Sequence, residues 1–428
     1  MFKKFTPSIA LPSGSAAIPQ VEPSASSAPD LHQLYPRLAE RQNRGRAPKA
    51  NAPHTIPHPL RPQVLASERI FFWVSPISIN KRQAFAAKYT PAQLLTYDLA
   101  LLHSLTEGTR SGYGSAIIDW IQWCDRNNIP EDRRLPISPH DIRIYIAHKV
   151  GVEGASKTNT VLSGLRAWHT IQDVPWPSGD LLITSLRRAA VSEAPPSTTR
   201  PARPAVTINH LAALRQHLNL QSSPFDIAVY ACACTAFWGA TRLGELVCPI
   251  KDSEASHHVT RACNLSFGPP AHTLTHPTSL DLHLPWTKTT KSLGANLHLS
   301  EWDDHGADTS ATKALTWHLQ VSSTLPKSAP LFAYQFPSPT GWTPLTRDAM
   351  LKQCRRIWKS VGLGECSGHS FRIGGTTELL LRGVSHDAVK IQGRWSSDAW
   401  LRYIRQHPDI LELEYARTRA GVLFQIPP

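Results

Sequence analysis

GHSFRIGGTTELLLRGVSHDAVKIQGRWSSDAWLRYIR, residues 368–405, is the most informative stretch of the chain. It sets His369 and Arg372 three apart at the mouth of one helix, Trp395 after a second helix and Tyr403 inside a third. Residues three apart share a helix face, so the imidazole and the guanidinium are predicted to point one way. Upstream, GATRLGEL from Gly239 to Leu246 supplies a second arginine, Arg242, with Glu245 three residues on. A guanidinium fork binds two phosphate oxygens at once and stays protonated at any working pH. Two such forks can hold the extra negative charge of a phosphodiester's transition state. Tyr403 is the candidate nucleophile, since a phenol titrates near 10 in water and neighbouring cations favour its phenolate. His369 would hydrogen-bond the phosphate or assist proton movement at Tyr403. Trp395 has only an indole N–H to give, enough to steady a phosphate oxygen. Gly239, Ala240, Gly244, Gly374 and Gly375 are small and allow close helix packing around both arginines. The set points to phosphoryl transfer without metal or cofactor.

Five segments, in order, carry a resemblance: A-T-R-L-G-E-L around Arg242, T-K-T around Lys288, G-H-S-F-R ending at Arg372, G-R-W at Trp395 and R-Y-I-R at Tyr403. They resemble the tyrosine recombinases, the family of the bacteriophage integrases. The last three, with Trp where many members have His, are most similar to the eukaryotic Crypton and DIRS-type element recombinases. A lone arginine is more often a surface salt bridge, and a lone tyrosine a packing residue; the matched motifs lift these residues above that reading. The resemblance implies that Tyr403 attacks the scissile DNA phosphate, giving a 3′-phosphotyrosyl link and a free 5′ hydroxyl, so that rejoining needs no ATP. It aligns Lys288 with the hairpin lysine that acts as general acid in relatives, with Lys291 as a rival. Glu245 is expected to orient an arginine or histidine of the site. Two features depart from the family pattern. Trp395 and Tyr403 are 8 positions apart (403 − 395), one fewer than expected, and Arg394 stands where a small residue or glycine is common, with no role assigned.

Composition supports a polyanionic partner. The 428 residues carry 45 Lys and Arg against 32 Asp and Glu, a net charge of +13, which favours nucleic acid through counterion release. Charge alone leaves a basic protein with no such partner equally open; the resemblance implies that the partner is double-stranded DNA. A hydrophobic content of 41% and this length suffice for two domains and a tail. No run of about 18 uninterrupted apolar residues occurs, and the N-terminal apolar residues are broken by Pro, Ser and Gly, so neither a membrane span nor a secretory signal is expected. The chain is read as intracellular, and nuclear if eukaryotic. The seven cysteines, Cys124, Cys232, Cys234, Cys248, Cys263, Cys354 and Cys366, are scattered in mostly apolar surroundings and read as reduced buried thiols. His257, His258, Cys263, His272 and His276 lack paired zinc-finger spacing, so no metal site is expected. The chain has no G-x-x-x-x-G-K-[ST] to cradle a nucleotide.

In chain order, residues 1–66 form a Pro/Ser-rich leader predicted to be disordered. Its cluster Arg37, Arg41, Arg44, Arg46 and Lys49 could bind phosphates, serve as a nuclear address or do neither. Residues 90–190 show helical periodicity. Tyr113, Ile117, Trp120, Ile121 and Cys124 share a face, Ser138 caps a helix that buries Ile142, Tyr145 and Ile146, and Ser156 caps one carrying Val161, Leu165 and Trp168. By analogy with the family this helical core-binding domain grips DNA, with Arg110, Lys157, Arg166, Arg187 and Arg188 as phosphate contacts; each alone reads as a solvated charge. Residues 191–206 are a Pro-rich linker whose Arg200 and Arg203 could follow a phosphate backbone. Residues 207–428 hold helices, then three alternating strand segments over 259–299 with 287–291 at a hairpin tip, then helices again. Lys291, Arg402 and Arg405 are further candidate phosphate contacts. The tail after His407 could dock on a neighbouring copy or on its own domain.

The expected fold is mainly α with a small antiparallel β-sheet: an N-terminal helical core-binding domain plus an α+β tyrosine recombinase catalytic domain. The expected activity is site-specific DNA recombination of the transposon type, by protomers that assemble, on the family's pattern, as a tetramer on two DNA sites. Two rivals stand beside it: a domesticated, catalytically silent DNA-binding or transcriptional protein, and a relaxing enzyme of the type IB topoisomerase kind.

Overall fold

The computed structural model describes residues 55–199, 201–248, 259–261, 265–267, 279–302, 308–404 and 408–419, without the side chains of 265–267, Tyr403, Ile404 and Arg417. The leader cluster, Arg200, Arg405, the His257 to His276 group and the tail beyond residue 419 lie outside the described residues. The chain divides into two compact units, Met1–Arg200 and Pro201–Pro428.

The first unit is built of α1 (Arg69–Phe72), α2 (Pro76–Ala86), α3 (Pro91–Ser104), α4 (Glu107–Arg126), α5 (Pro139–Lys149), α6 (Ala155–Ile171) and α7 (Leu181–Ser192). The apolar stripes legible in the sequence meet in its core: Ile117, Trp120, Ile121 and Cys124 of α4, Ile142, Tyr145 and Ile146 of α5, and Val161, Leu165 and Trp168 of α6. Ile70 to Trp73, on and after α1, join them, so the unit begins before residue 90. Residues 55–65, read from composition as leader, are tied to this unit by Arg61 on Glu131 at 2.5 Å and the Ile56 N–H on Asp125 at 3.0 Å. Ser138 caps α5 as expected, its hydroxyl accepting from the Asp141 N–H. Ser156 does not cap α6. The N-cap is Gly154, where an added Cβ would come 3.0 Å from the Thr198 hydroxyl. α7 runs through Val191 and Ser192, the first two residues of the expected linker.

The second unit comprises α8 (Ile208–His217), α9 (Pro224–Trp238), α10 (Leu243–Leu246), β1 (Leu265–Phe267), β2 (Ser279–Leu284), β3 (Ala295–Ser300), α11 (Ala311–Val321), β4 (Tyr334–Gln335), β5 (Trp342–Thr343), α12 (Arg347–Ser360), α13 (Gly368–Leu381), α14 (His386–Gln392), α15 (Leu401–Ile404) and α16 (Pro408–Arg419). β1, β2 and β3 form an antiparallel sheet in that order, with Leu280 opposite Leu299 and Leu282 opposite Leu297 on its buried face. A second ladder, β4 with β5, has two residues per strand, too few to show alternation in sequence. The fold is thus mainly helical with small antiparallel sheets, as expected.

α9 organises this unit. It is buried from Asp226 to Trp238, as an all-round apolar helix must be. α13 lies against its C-terminal end with no side chain between them: a Cβ on Gly375 would fall 1.7 Å from the Phe237 carbonyl oxygen, and one on Gly374 1.8 Å from that of Val206. The glycine pair thereby sets how near Arg372 comes to the end of α9. Gly244 plays no such part, with nothing within 4 Å of an added Cβ. Ile410 of α16 is buried in the unit's own core, whereas Leu411 and Tyr415 are exposed. Among the described residues no helix is long and apolar enough to cross a membrane.

Candidate active site

Two helices of the second unit end in the same way. After α9 the chain passes through Gly239 into left-handed Ala240 (φ +44°), and the Ala240 and Thr241 N–H groups donate back to the Phe237 and Ala236 carbonyls at 3.0 and 3.1 Å. After α14 it passes through Gly393 into left-handed Arg394 (φ +56°), and the Arg394 and Trp395 N–H groups donate to Ile391 and Lys390 at 2.9 and 3.1 Å. This is the Schellman ending, whose left-handed position is usually glycine. A side chain there costs about 1 kcal/mol or more.

Arg372 joins these two ends. Its Nη1 donates to the Ala240 carbonyl at 2.8 Å and its Nη2 to the Gly393 carbonyl, so the guanidinium sits at the negative poles of two helices. Its flat face stacks on Trp395, 4.0 Å from the ring centroid. Those contacts explain how an arginine can be only 1% exposed. The Trp395 ring is itself seated on Gly393, where an added Cβ would fall 1.6 Å from it.

Arg242 is the N-cap of α10. Its Nη1 donates to Glu245 Oε1 at 2.8 Å and its backbone N–H to Oε2 at 3.1 Å. The same Oε2 accepts from Arg394 Nη2 at 3.0 Å, leaving Glu245, 3% exposed, clamped between two guanidiniums. His369 is half-buried one turn before Arg372. Burial, then the charges of Arg203, Arg372 and Arg242, hold its pKa below the ordinary imidazole value.

A cavity of about 320 Å³ is lined by Arg242, His369, Arg372 and Trp395, and also by Thr289, Arg394 and Arg402. Thr289 belongs to the turn between β2 and β3. The buried Thr287 hydroxyl pins that turn by accepting from the Thr289 and Thr290 N–H groups at 3.3 and 3.0 Å. Lys288 is exposed on the turn and does not line the cavity, and its ammonium has no hydrogen-bond partner among the described residues. Lys291, left-handed at φ +53°, has its ammonium over the Trp286 ring at 5.5 Å.

The remaining candidates separate. Arg110 is corrected from a phosphate contact to a core residue: it is 7% exposed, and its Nη1 donates to the Leu102 carbonyl and to that of Leu105 at 3.3 Å. Lys157, Arg166, Arg187 and Arg188 are exposed on the first unit; Lys157 pairs with Glu153 at 2.8 Å and Arg187 donates to Asn159 at 2.8 Å. Arg203 is exposed in the second unit and near enough to His369 to depress its pKa. Arg402 stands on the cavity wall, closer to the chemistry than the sequence suggested. Tyr403 follows it on the backbone of α15, and its side chain is not described. Sequence reading left Arg394 and Thr289 without roles. The signal for Arg394 was a long cation directly after a helix-ending glycine, and for Thr289 its place beside Lys288.

No family model matches the chain, and no curated protein matches it. Solved structures do. XerH site-specific recombinase bound to palindromic difH substrate aligns at 12% identity over 82% of this chain and 93% of that one, with a TM-score of 0.46. A lambda integrase dimer bound to a COC' core site aligns at 15% over 70% and 89%, TM-score 0.42. The Tn1549 transposon integrase in complex with transposon right end DNA aligns at 15% over 74% and 95%, TM-score 0.42.

Proposed function

We propose that the chain is a site-specific DNA recombinase of the tyrosine recombinase kind, resembling the Crypton and DIRS-type element enzymes. One observation carries the reading: Arg242, His369, Arg372 and Trp395, from segments far apart in sequence, line one cationic cavity whose wall includes Arg402, the residue before Tyr403. In this reading the Tyr403 hydroxyl gives up its proton with His369 assisting, its oxygen attacks the scissile phosphorus, the bond to the 5′ oxygen breaks, and a 3′-phosphotyrosyl ester forms. Lys288 protonates the departing 5′ oxygen; Lys291, over Trp286, is less free to do so. Arg372, fixed by two carbonyls and an indole face, contributes a charge that need not reorganise as the transition state forms. Arg242, with 29% of its side chain exposed, is the fork that meets the phosphate oxygens. A hydroxyl of the partner strand reverses the reaction, so neither metal nor nucleotide is consumed. Lys157, Arg166, Arg187, Arg188, Arg203 and Arg402 would position the duplex through its phosphates, and a tetramer would bring two duplexes together.

The test is a randomised pool of nicked duplexes from which covalent protein–DNA adducts are recovered after denaturation. The wild-type chain should yield adducts of a shared sequence, and Tyr403→Phe none. Binding without adduct would replace the reading by a silent DNA-binding protein. Adducts without sequence preference, together with relaxation of supercoiled DNA by single protomers, would replace it by a topoisomerase.

A further inference from the structure

Arg394 has no place in the chemistry above, yet its surroundings are built. It occupies a left-handed position that glycine would fill without strain. Its side chain is 8% exposed, one nitrogen holding the Gln392 carbonyl at 3.0 Å and another Glu245 at 3.0 Å. Its Nε, also buried, has no hydrogen-bond partner among the described residues, and the residue lines the cavity.

The charge balance around Glu245 gives that placement a purpose. A buried carboxylate paired with Arg242 alone would cancel the charge that an incoming phosphate needs. A second guanidinium on the other carboxylate oxygen leaves the trio with one net positive charge. Arg394, the more buried cation, backs the carboxylate, and Arg242, the more exposed, faces the cavity. We propose that Arg394 is the counter-cation of Glu245, a positioning residue that keeps the charge of Arg242 available to an anion in the cavity. The proposal rests on the cavity being a phosphodiester site.

Inorganic sulfate, titrated calorimetrically into the full chain, serves as the probe because it needs no target sequence and no reaction at Tyr403. Arg394→Gly suits the backbone, so it removes the guanidinium without straining the turn. It should weaken sulfate binding about tenfold, as expected for losing one nearby charge. Adding Glu245→Gln removes the carboxylate that Arg394 balances, and the double variant should return to within about threefold of wild type. Arg394→Lys, which keeps the charge and loses the fork, should fall between. A role confined to holding the turn would give no rescue by Glu245→Gln. Arg394→Gly binding like wild type, or a double variant no better than the single, would overturn the proposal. Should Arg394→Gly unfold while the double variant folds, the pairing is supported; if neither folds, Arg394 is a structural cap and the proposal fails. Arg242→Ala separates the two readings: if it binds sulfate as wild type does, the phosphate-site reading falls too.

Discussion

Arg372 shows how one residue can hold a charge inside a core. Its fork is fixed by carbonyls 132 and 21 positions away in sequence, and its face by Trp395. The sequence could place the arginine at a helix mouth but could not show that two helix ends converge on it. The arrangement makes Gly393 a sensitive position. Its own backbone is right-handed, so alanine would be welcome there were it not for the Trp395 ring 1.6 Å from the new methyl. Gly393→Ala must therefore swing the indole off the guanidinium, losing a cation–π contact of about 0.5–2 kcal/mol. On the proposed activity, strand cleavage should fall by about tenfold or more, and the lost contact should lower the melting temperature by a few degrees, on the order of 2–6 °C. Cleavage at the wild-type rate would show that the stacked face is dispensable.

Among the elements, the packing of α13 against α9 fixes the site, and the glycine pair makes it measurable. Gly375→Ala gains up to about 1 kcal/mol of helix propensity, but its methyl meets a backbone oxygen at 1.7 Å, which no rotamer can relieve. The collision should dominate, with a net loss of about 2 kcal/mol or more and a fall in melting temperature of about 5 °C or more. Gly244→Ala is the comparison, with open space around the methyl and no expected loss. If Gly375→Ala melts with wild type, α13 does not sit as close to α9 as described. This contact was partly legible: Gly374 and Gly375 announced close approach, while Gly244 announced it falsely because a glycine carries no record of its neighbours. A cap read well where the side chain itself makes the bond, as at Ser138. The cap of α6 did not, because Gly154 makes no side-chain bond. Burial of Arg110 was hidden for a related reason: its partners are backbone carbonyls, which no residue type signals.

Across the whole molecule, each unit carries a buried histidine that must stay neutral, which sets how the fold responds to acid. In the first unit His169 Nε2 accepts from the Ile137 N–H at 2.9 Å while Nδ1 faces the Leu165 carbonyl at 2.7 Å, and burial pushes its pKa down to about 4. A second proton would have to displace the Ile137 bond. In the second unit His318, 1% exposed and bonded to the Leu331 carbonyl at 3.0 Å, is likewise pushed down to about 4, by burial and then by Arg261. His369 is shifted in the same direction. The unfolded chain binds these protons near pH 6.5 and the folded chain does not. For His169 and His318 the stability is therefore fully present above about pH 6.5 and falls by about 1.4 kcal/mol per pH unit each until about pH 4. Denaturant titrations at pH 7, 6 and 5 should show both units weakening, each by about 2 kcal/mol at pH 5 from its buried histidine alone. His169→Gln should flatten the slope of the first unit and His318→Gln that of the second, whatever each costs at pH 7. A wild-type stability that stays level from pH 7 to 5 would mean that water or a rearrangement reaches both imidazoles. The arginines of the cavity keep their charge throughout this range, so on the proposed activity any fall in cleavage between pH 7 and pH 5 should track the loss of folded protein measured at the same pH.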